Sequence, residues 1–215
     1  MEIYETEEEQ LDALKRWWKE NGQSTIIGLV LGIAVILGWN YWQDHKKAQA
    51  EQASSLYSQL ILAIEADKKD SAEKLAERIQ EQYPKTQYAA YSGLLLAKLK
   101  VQQGDTAKAQ AILKGIATGS NKELSNIAKI RQVRLMLASG EYEQGLQLIN
   151  DVDPATSSSF SGNYDELVGD LYVALDRLDQ ARSSYQKALE NGHKSPLLQF
   201  KIDDLTASEK IEIQK

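Results

Sequence analysis

All four tryptophans of this 215-residue chain flank one short stretch: Trp17 and Trp18 precede it, Trp39 and Trp42 follow it. Between Asn21 and Gln43 no residue is charged, and the centre reads Thr25-Ile-Ile-Gly-Leu-Val-Leu-Gly-Ile-Ala-Val-Ile-Leu-Gly38. Indole rings favour the boundary between lipid and water, where the ring meets acyl chains and the N–H meets water. At ~1.5 Å per residue, a helix from Trp18 to Trp39 spans about 31 Å, close to the ~30 Å thickness of bilayer hydrocarbon. Residues 21–43 are therefore predicted to form a transmembrane helix. A buried core helix would leave the placement of the tryptophans to accident. Everything after the segment is expected to work tethered to a membrane.

Mean hydropathy over the whole chain is -0.45, so most of it is not lipid-soluble, and no second apolar run of comparable length follows. The chain is expected to cross once. Roughly 170 residues remain beyond the anchor, enough for a domain with its own core. The net charge of -6 is unevenly spread: seven acids face only Lys15, Arg16 and Lys19 in the first 43 residues. Nothing resembles a basic footprint for nucleic acid. The sequence has no cysteine, which removes disulfides, thiolate metal sites and cysteine nucleophiles together. Its two histidines, His45 and His193, lie far apart with no ligand-spaced partners.

The apolar run reads as an uncleaved signal anchor. Its leading residues are acidic, it is long for a secretory signal, and Trp39-Asn-Tyr-Trp-Gln-Asp44 offers no small-x-small cleavage site. Three basic residues before the helix against Lys46 and Lys47 after it favour a cytoplasmic N-terminus by one charge. Gly28 and Gly32 form a small-x-x-x-small pattern, continued by Ala34 and Gly38. Such a face lets helices approach closely in lipid and would dock a partner or a second copy. Glycine is also common in membrane helices for no such reason.

Beyond Asp44 the pattern is helical, with Pro84, Pro154 and Pro196 falling between apolar-periodic segments. The clearest unit runs Leu167-Val-Gly-Asp-Leu-Tyr-Val-Ala-Leu-Asp-Arg-Leu-Asp-Gln-Ala-Arg-Ser-Ser-Tyr-Gln-Lys-Ala-Leu189 and resembles a tetratricopeptide repeat (TPR). Gly169 takes the small position where helix A meets helix B, followed by Tyr172. Ala181, Tyr185 and Ala188 fall where the motif wants a small residue, an aromatic and a small residue. The small residue opening helix B recurs at Ala72, Ala109, Gly145 and Ala181, spaced 37, 36 and 36. Turns precede these positions at Asp67–Asp70, Gly104-Asp105, Gly140-Glu141 and Asp176-Arg177. A helical hairpin cannot bury its apolar face alone, so such units stack. The earlier units are degenerate, with Val133 replacing a small residue in the third.

The expected fold is all-α: a single N-terminal transmembrane helix followed by a TPR-like α-solenoid. Its parts are a short acidic segment (1–20), the membrane helix (21–43), the repeats (44–206) and a tail (207–215) expected to fray. Residues Asp151 to Asn163 read as an exposed, turn-rich insertion, with Phe160 its one apolar handle, tucked inward or offered as a contact. Pro196 to Thr206 reads as a capping helix carrying Leu197, Leu198, Phe200, Ile202 and Leu205. No Gly or Pro separates Gly38 from the first repeat, so the membrane helix is expected to run straight into it and fix the domain's orientation to the bilayer.

No Walker pattern, G-x-S-x-G elbow or H-E-x-x-H motif occurs, and no cofactor or catalytic residue is expected. The repeat frame places Tyr57, Ile61, Tyr91, Leu94, Lys98, Ile130, Arg134, Glu166 and Asp170 near the face lined by A helices. That mixture would suit an extended polypeptide or a partner's helix, while some of it would be inter-repeat core.

Several stretches together resemble the YfgM family of ancillary translocon subunits. They are Met1-Glu-Ile-Tyr-Glu5, Lys15-Arg16 with its paired aromatics, Glu20-Asn-Gly22, Gly38-Trp-Asn-Tyr-Trp42 and Lys201-Ile-Asp-Asp-Leu205. The resemblance implies a bacterial inner-membrane protein with a short cytoplasmic N-terminus and a periplasmic TPR-like domain. It further implies association with the SecYEG translocon and a PpiD-type membrane-anchored periplasmic chaperone. The implied role is to help nascent or unfolded envelope polypeptides fold or move onward. The competing expectation is an adaptor whose repeats face the cytoplasm and scaffold an envelope-assembly complex.

Overall fold

The computed structural model describes residues 7–212 and, among them, the side chains of residues 9–205. The opening Met1-Glu-Ile-Tyr-Glu5 and the last three residues of the expected tail lie outside the described residues. All regular structure within them is helical. Helix α1 (Glu7–Glu65) is unbroken, as the lack of Gly and Pro after Gly38 allows. It is followed by α2 (Lys69–Gln82), α3 (Gln87–Gln102), α4 (Thr106–Ala117), α5 (Lys122–Ser139) and α6 (Tyr142–Asn150). Then come α7 (Pro154–Ser157), a 3-10 turn (Ser158–Phe160), α8 (Ser161–Ala174), α9 (Leu178–Glu190) and α10 (Pro196–Glu212). The chain divides after Gln52 into an N-terminal unit and a repeat unit.

In the N-terminal unit the apolar segment has no protein cover. Leu29, Val35 and Leu37 are exposed, and only 6% of its most apolar window is buried. The indoles pair at both ends, with ring centroids 6.4 Å apart for Trp17 and Trp18 and 5.2 Å for Trp39 and Trp42. The Lys46 ammonium sits 3.7 Å over the Trp42 ring.

In the repeat unit, helix termination sets the period. The A helices are the end of α1, then α3, α5 and α8, and each stops at a residue with positive φ: Asp67 (52°), Gly104 (82°), Gly140 (81°) and Asp176 (58°). The residue after each donates its backbone N–H to a carbonyl five positions back. These bonds are Lys68 to Ala63 (2.9 Å), Asp105 to Lys100 (2.9 Å), Glu141 to Met136 (2.8 Å) and Arg177 to Tyr172 (2.8 Å). This is the Schellman closure, which requires a left-handed residue at the turn. Ala72, Ala109, Gly145 and Ala181 each lie five residues further on, and all four are buried. A Cβ on Gly145 would lie 3.0 Å from Leu171 of the next A helix, which is why the position stays small.

A second regularity lies in the pairing of A and B helices. One position on each A helix and one on its B helix exchange volume: Leu60 with Ala76, Ala97 with Leu113, Val133 with Ile149, Gly169 with Tyr185. Members of the first three pairs share a core cluster. In the last, the Tyr185 ring occupies the space a Cβ on Gly169 would take. Val133, which replaces a small residue, shares its cluster with Ile149 where the fourth unit has a tyrosine. Close packing at interior density demands such exchange.

The insertion between the third and fourth units is not the exposed loop its composition predicts. Asp153 caps α7, its Oδ1 accepting the Ala155 N–H at 3.0 Å, with Pro154 in the first helical turn. Val152 is buried and Phe160 packs against the same cluster. The Asn126 side-chain amide donates to the Thr156 carbonyl at 2.9 Å and accepts from the Tyr164 hydroxyl at 2.8 Å, tying α5, α7 and α8 together. The cap α10 buries Leu198 and Leu205 with Ile202 packed beside them. Leu197 and Phe200 of the same helix are 64% and 70% exposed, because they fall outside its buried face. The helix also runs past Thr206 to Glu212.

Candidate functional site

The sequence-predicted A-helix residues fall into three different environments. In the first, Tyr57 of α1 meets Tyr88 and Tyr91 of α3, with ring centroids 5.6 Å, 6.1 Å and 6.1 Å apart around the triangle. All three are half-buried, as is Ile61. Burial, then the neighbouring phenols Tyr91 and Tyr88, pushes the Tyr57 pKa up. The cluster presents aromatic edges and hydroxyls, the pairing that suits polypeptide recognition.

In the second, Lys98 of α3 and Arg134 of α5 border one depression of about 400 Å³. Arg131, which the repeat frame did not single out, joins them, its Nη1 donating to the Leu94 carbonyl at 3.0 Å. Burial, then the like charge of Arg134, holds the Arg131 pKa down. Leu94 and Ile130 are themselves buried in inter-repeat core.

In the third, Glu166 and Asp170 of α8 are covered by α10. The Lys201 ammonium donates to Glu166 Oε1 at 2.8 Å and to the Asp170 carboxylate at 2.6 Å and 2.8 Å. His193 Nε2 lies 2.7 Å from Glu166 Oε2, and the Tyr185 hydroxyl donates to Asp170 Oδ1 at 2.8 Å. Burial pushes Glu166 up, but Lys201 and His193 outweigh it and hold its carboxyl below the ordinary range. Burial likewise opposes the Lys201 charge, and Asp170 and Glu166 outweigh it, raising its pKa. Tyr185 is pushed well up by burial and then by the Asp170 carboxylate. These acids form a buried latch for the cap, a role that needed tertiary contact to see.

A further depression, about 800 Å³, runs along the α2–α3 turn and the α4–α5 connection, lined by Pro84, Ile112, Ile116 and Asn121 among others. Among the described residues no group of three or more His, Asp or Glu could hold a metal ion. In the apolar helix, a Cβ added at Gly28 or Gly32 would meet nothing within 4 Å, so that face is open.

The architecture is that of a TPR-like helical array preceded by one apolar helix long enough to cross a membrane. Residues 15–207 match the family model described as a tetratricopeptide repeat-like domain. The chain is 32% identical over 202 residues to the ancillary SecYEG translocon subunit of Haemophilus influenzae, covering 93% of this chain and 97% of that one. It is 29% identical over 213 residues to the protein of the same name from Escherichia coli K12, covering 96% and 100%. The solved structure of pilF from Pseudomonas aeruginosa superposes with a TM-score of 0.60 at 14% identity, over 77% of this chain and 72% of that one, a likeness of fold alone. The chain belongs to the family of ancillary SecYEG translocon subunits. Membership and the apolar helix together fit a membrane-anchored protein. The relatives are named as subunits of an assembly, not for a reaction.

Proposed function

We propose that this chain is anchored in a bacterial inner membrane beside the SecYEG translocon. Its N-terminus lies in the cytoplasm and its repeats in the periplasm, where they help newly translocated polypeptides fold or pass onward. A PpiD-type anchored chaperone is its companion, and the open Gly28 and Gly32 face docks a membrane helix of the assembly. The tyrosine cluster and the depression of the second environment receive polypeptide; Glu166 and Asp170 instead secure the cap. The observation that carries the reading is the uncovered apolar helix with indoles at both ends. Exposed to water, such a surface is untenable; in lipid it is an anchor. The relatives' names supply the partner. A tether near a channel exit raises the effective concentration of the repeats for emerging chains, so modest affinity suffices.

The test is topology joined to co-purification. Ser159 is exposed, whereas Ser157 is buried with its hydroxyl donating to the Asp153 carbonyl. Ser159→Cys gives the chain its only thiol. A membrane-impermeant maleimide should label it in intact spheroplasts, and SecY should co-purify in mild detergent. Labelling only after lysis would place the repeats in the cytoplasm and leave the adaptor reading.

A further inference from the structure

The geometry points to the depression between α3 and α5 as a binding site for acidic polypeptide segments that carry an aliphatic or aromatic side chain among their carboxylates. The inference rests on the reading of the A-helix face as a polypeptide surface and names the chemistry that face selects. Ala97, Val101, Leu113 and Leu135 supply an apolar floor, with Val101 40% exposed. Lys98, Arg131 and Arg134 supply the rim, and no carboxylate is among the lining residues. The chain as a whole is acidic at -6, so three cations gathered without an acid run against its balance.

Elsewhere in the repeats Lys100 is matched by Glu73, and Lys201 by Glu166 and Asp170. Lys98 and Arg134 have no ion pair among the described residues. Arg131 is pinned by a neutral carbonyl, which leaves its charge unneutralised and other N–H groups free to donate. Arg131 and Arg134, three apart on one helix, repel each other, and Arg134 lowers the Arg131 pKa after burial has done so. A ligand carboxylate removes that repulsion and accepts paired N–H donors from a guanidinium. At about 400 Å³ the site is small for a ligand pocket, toward the low end of the ~300–1,000 Å³ range. An extended chain alternates its side chains, so it can set an apolar group on the floor with carboxylates at the rim.

Fluorescence anisotropy on the full chain in detergent tests this. The probes are a labelled twelve-residue peptide alternating Glu/Asp with Leu/Phe, its Lys counterpart, and a Glu/Gly peptide of equal charge. The acidic–apolar peptide should bind tightest, weaken with salt, and lose about tenfold in affinity to the Lys98→Ala/Arg134→Ala variant. Should that variant lose helicity, Arg134→Gln alone replaces it, since Arg134 is exposed. Equal affinity for parent and variant overturns the site. Equal binding of the Lys peptide overturns the charge selection, and equal binding of the Glu/Gly peptide overturns the role of the floor. Displacement of the peptide by phosphatidylglycerol added to the detergent micelles, from the parent but not the variant, would give the depression to lipid headgroups and overturn it as well. SecY co-purifying with a chain that binds no peptide would sink this inference and spare the translocon reading. Peptide binding without SecY would do the reverse.

Discussion

Replacing Gly169 by alanine tests the tightest contact in the repeat unit. The new methyl would lie 2.9 Å from Tyr185 Cζ and closer still to Cδ1 and Cε1. The ring cannot yield freely, being 2% exposed with its hydroxyl bonded to Asp170. Overpacking of this kind costs about 1–3 kcal/mol. If the ring swings instead, a hydrogen bond to a charged group worth about 1.5–3 kcal/mol is lost. Alanine's helix propensity returns roughly 1 kcal/mol. The expected net destabilisation is about 1 kcal/mol. For a unit of this size that lowers Tm by roughly 2–4 °C. The assay is thermal melting of the full chain in detergent by far-UV circular dichroism, with urea titration beside it. Gly115→Ala in α4 is the control. Nothing lies within 4 Å of its added Cβ, so propensity alone should stabilise it by up to ~1 kcal/mol. In a Tyr185→Leu background the Gly169→Ala cost should fall to about zero. A Gly169→Ala chain that melts at or above the parent, or an undiminished cost in that background, refutes the reasoning.

Three further outcomes follow from the same geometry. Asp176 holds a left-handed conformation that costs an ordinary residue roughly 1–2 kcal/mol, so Asp176→Gly should stabilise by about 0.5–1 kcal/mol in the same melt. Lys201→Met leaves two carboxylates facing each other beneath α10 and should cost about 2–4 kcal/mol, read as an earlier urea transition. The latch also sets a pH window. Glu166 is depressed, so its contribution is present above its unfolded pKa and lost as pH falls through the lower folded value. Lys201 is raised, so its contribution is full below its unfolded pKa and lost as pH rises through the higher folded value. Urea midpoints measured against pH should decline at both extremes in the parent, and Lys201→Met should lose the alkaline decline and weaken the acid one.

The anchor and the repeat frame were legible because their signals are local. Indoles mark an interface, and a left-handed turn or a small contact residue is written at one position. Asp67, Gly104, Gly140 and Asp176 and the small residue five places later therefore carried the period. Of the residues the repeat frame places on the A-helix face, Lys98 and Arg134 border one depression. What depends on a distant partner was not legible. Glu166 and Asp170 looked open because Lys201 crosses them from a helix some thirty residues on. Arg131, one turn before Arg134, falls outside the repeat frame, and only its i, i+3 spacing to Arg134 marks it in the sequence. The turn-rich composition of the 151–163 segment hides the Asp153-Pro154 helix start.

The exchange of volume between A and B helices bears on how such an array can change. Each hairpin carries its own matched pair, and the pairs differ from one hairpin to the next. A hairpin transplanted whole would keep its internal fit, but a single A helix moved between units would not: the α5 segment, with Val133, set against α9 would meet the Tyr185 ring. The hairpin, not the helix, is thus the portable module, and chimaeras of this chain and its relatives should be cut in the short connections before A helices.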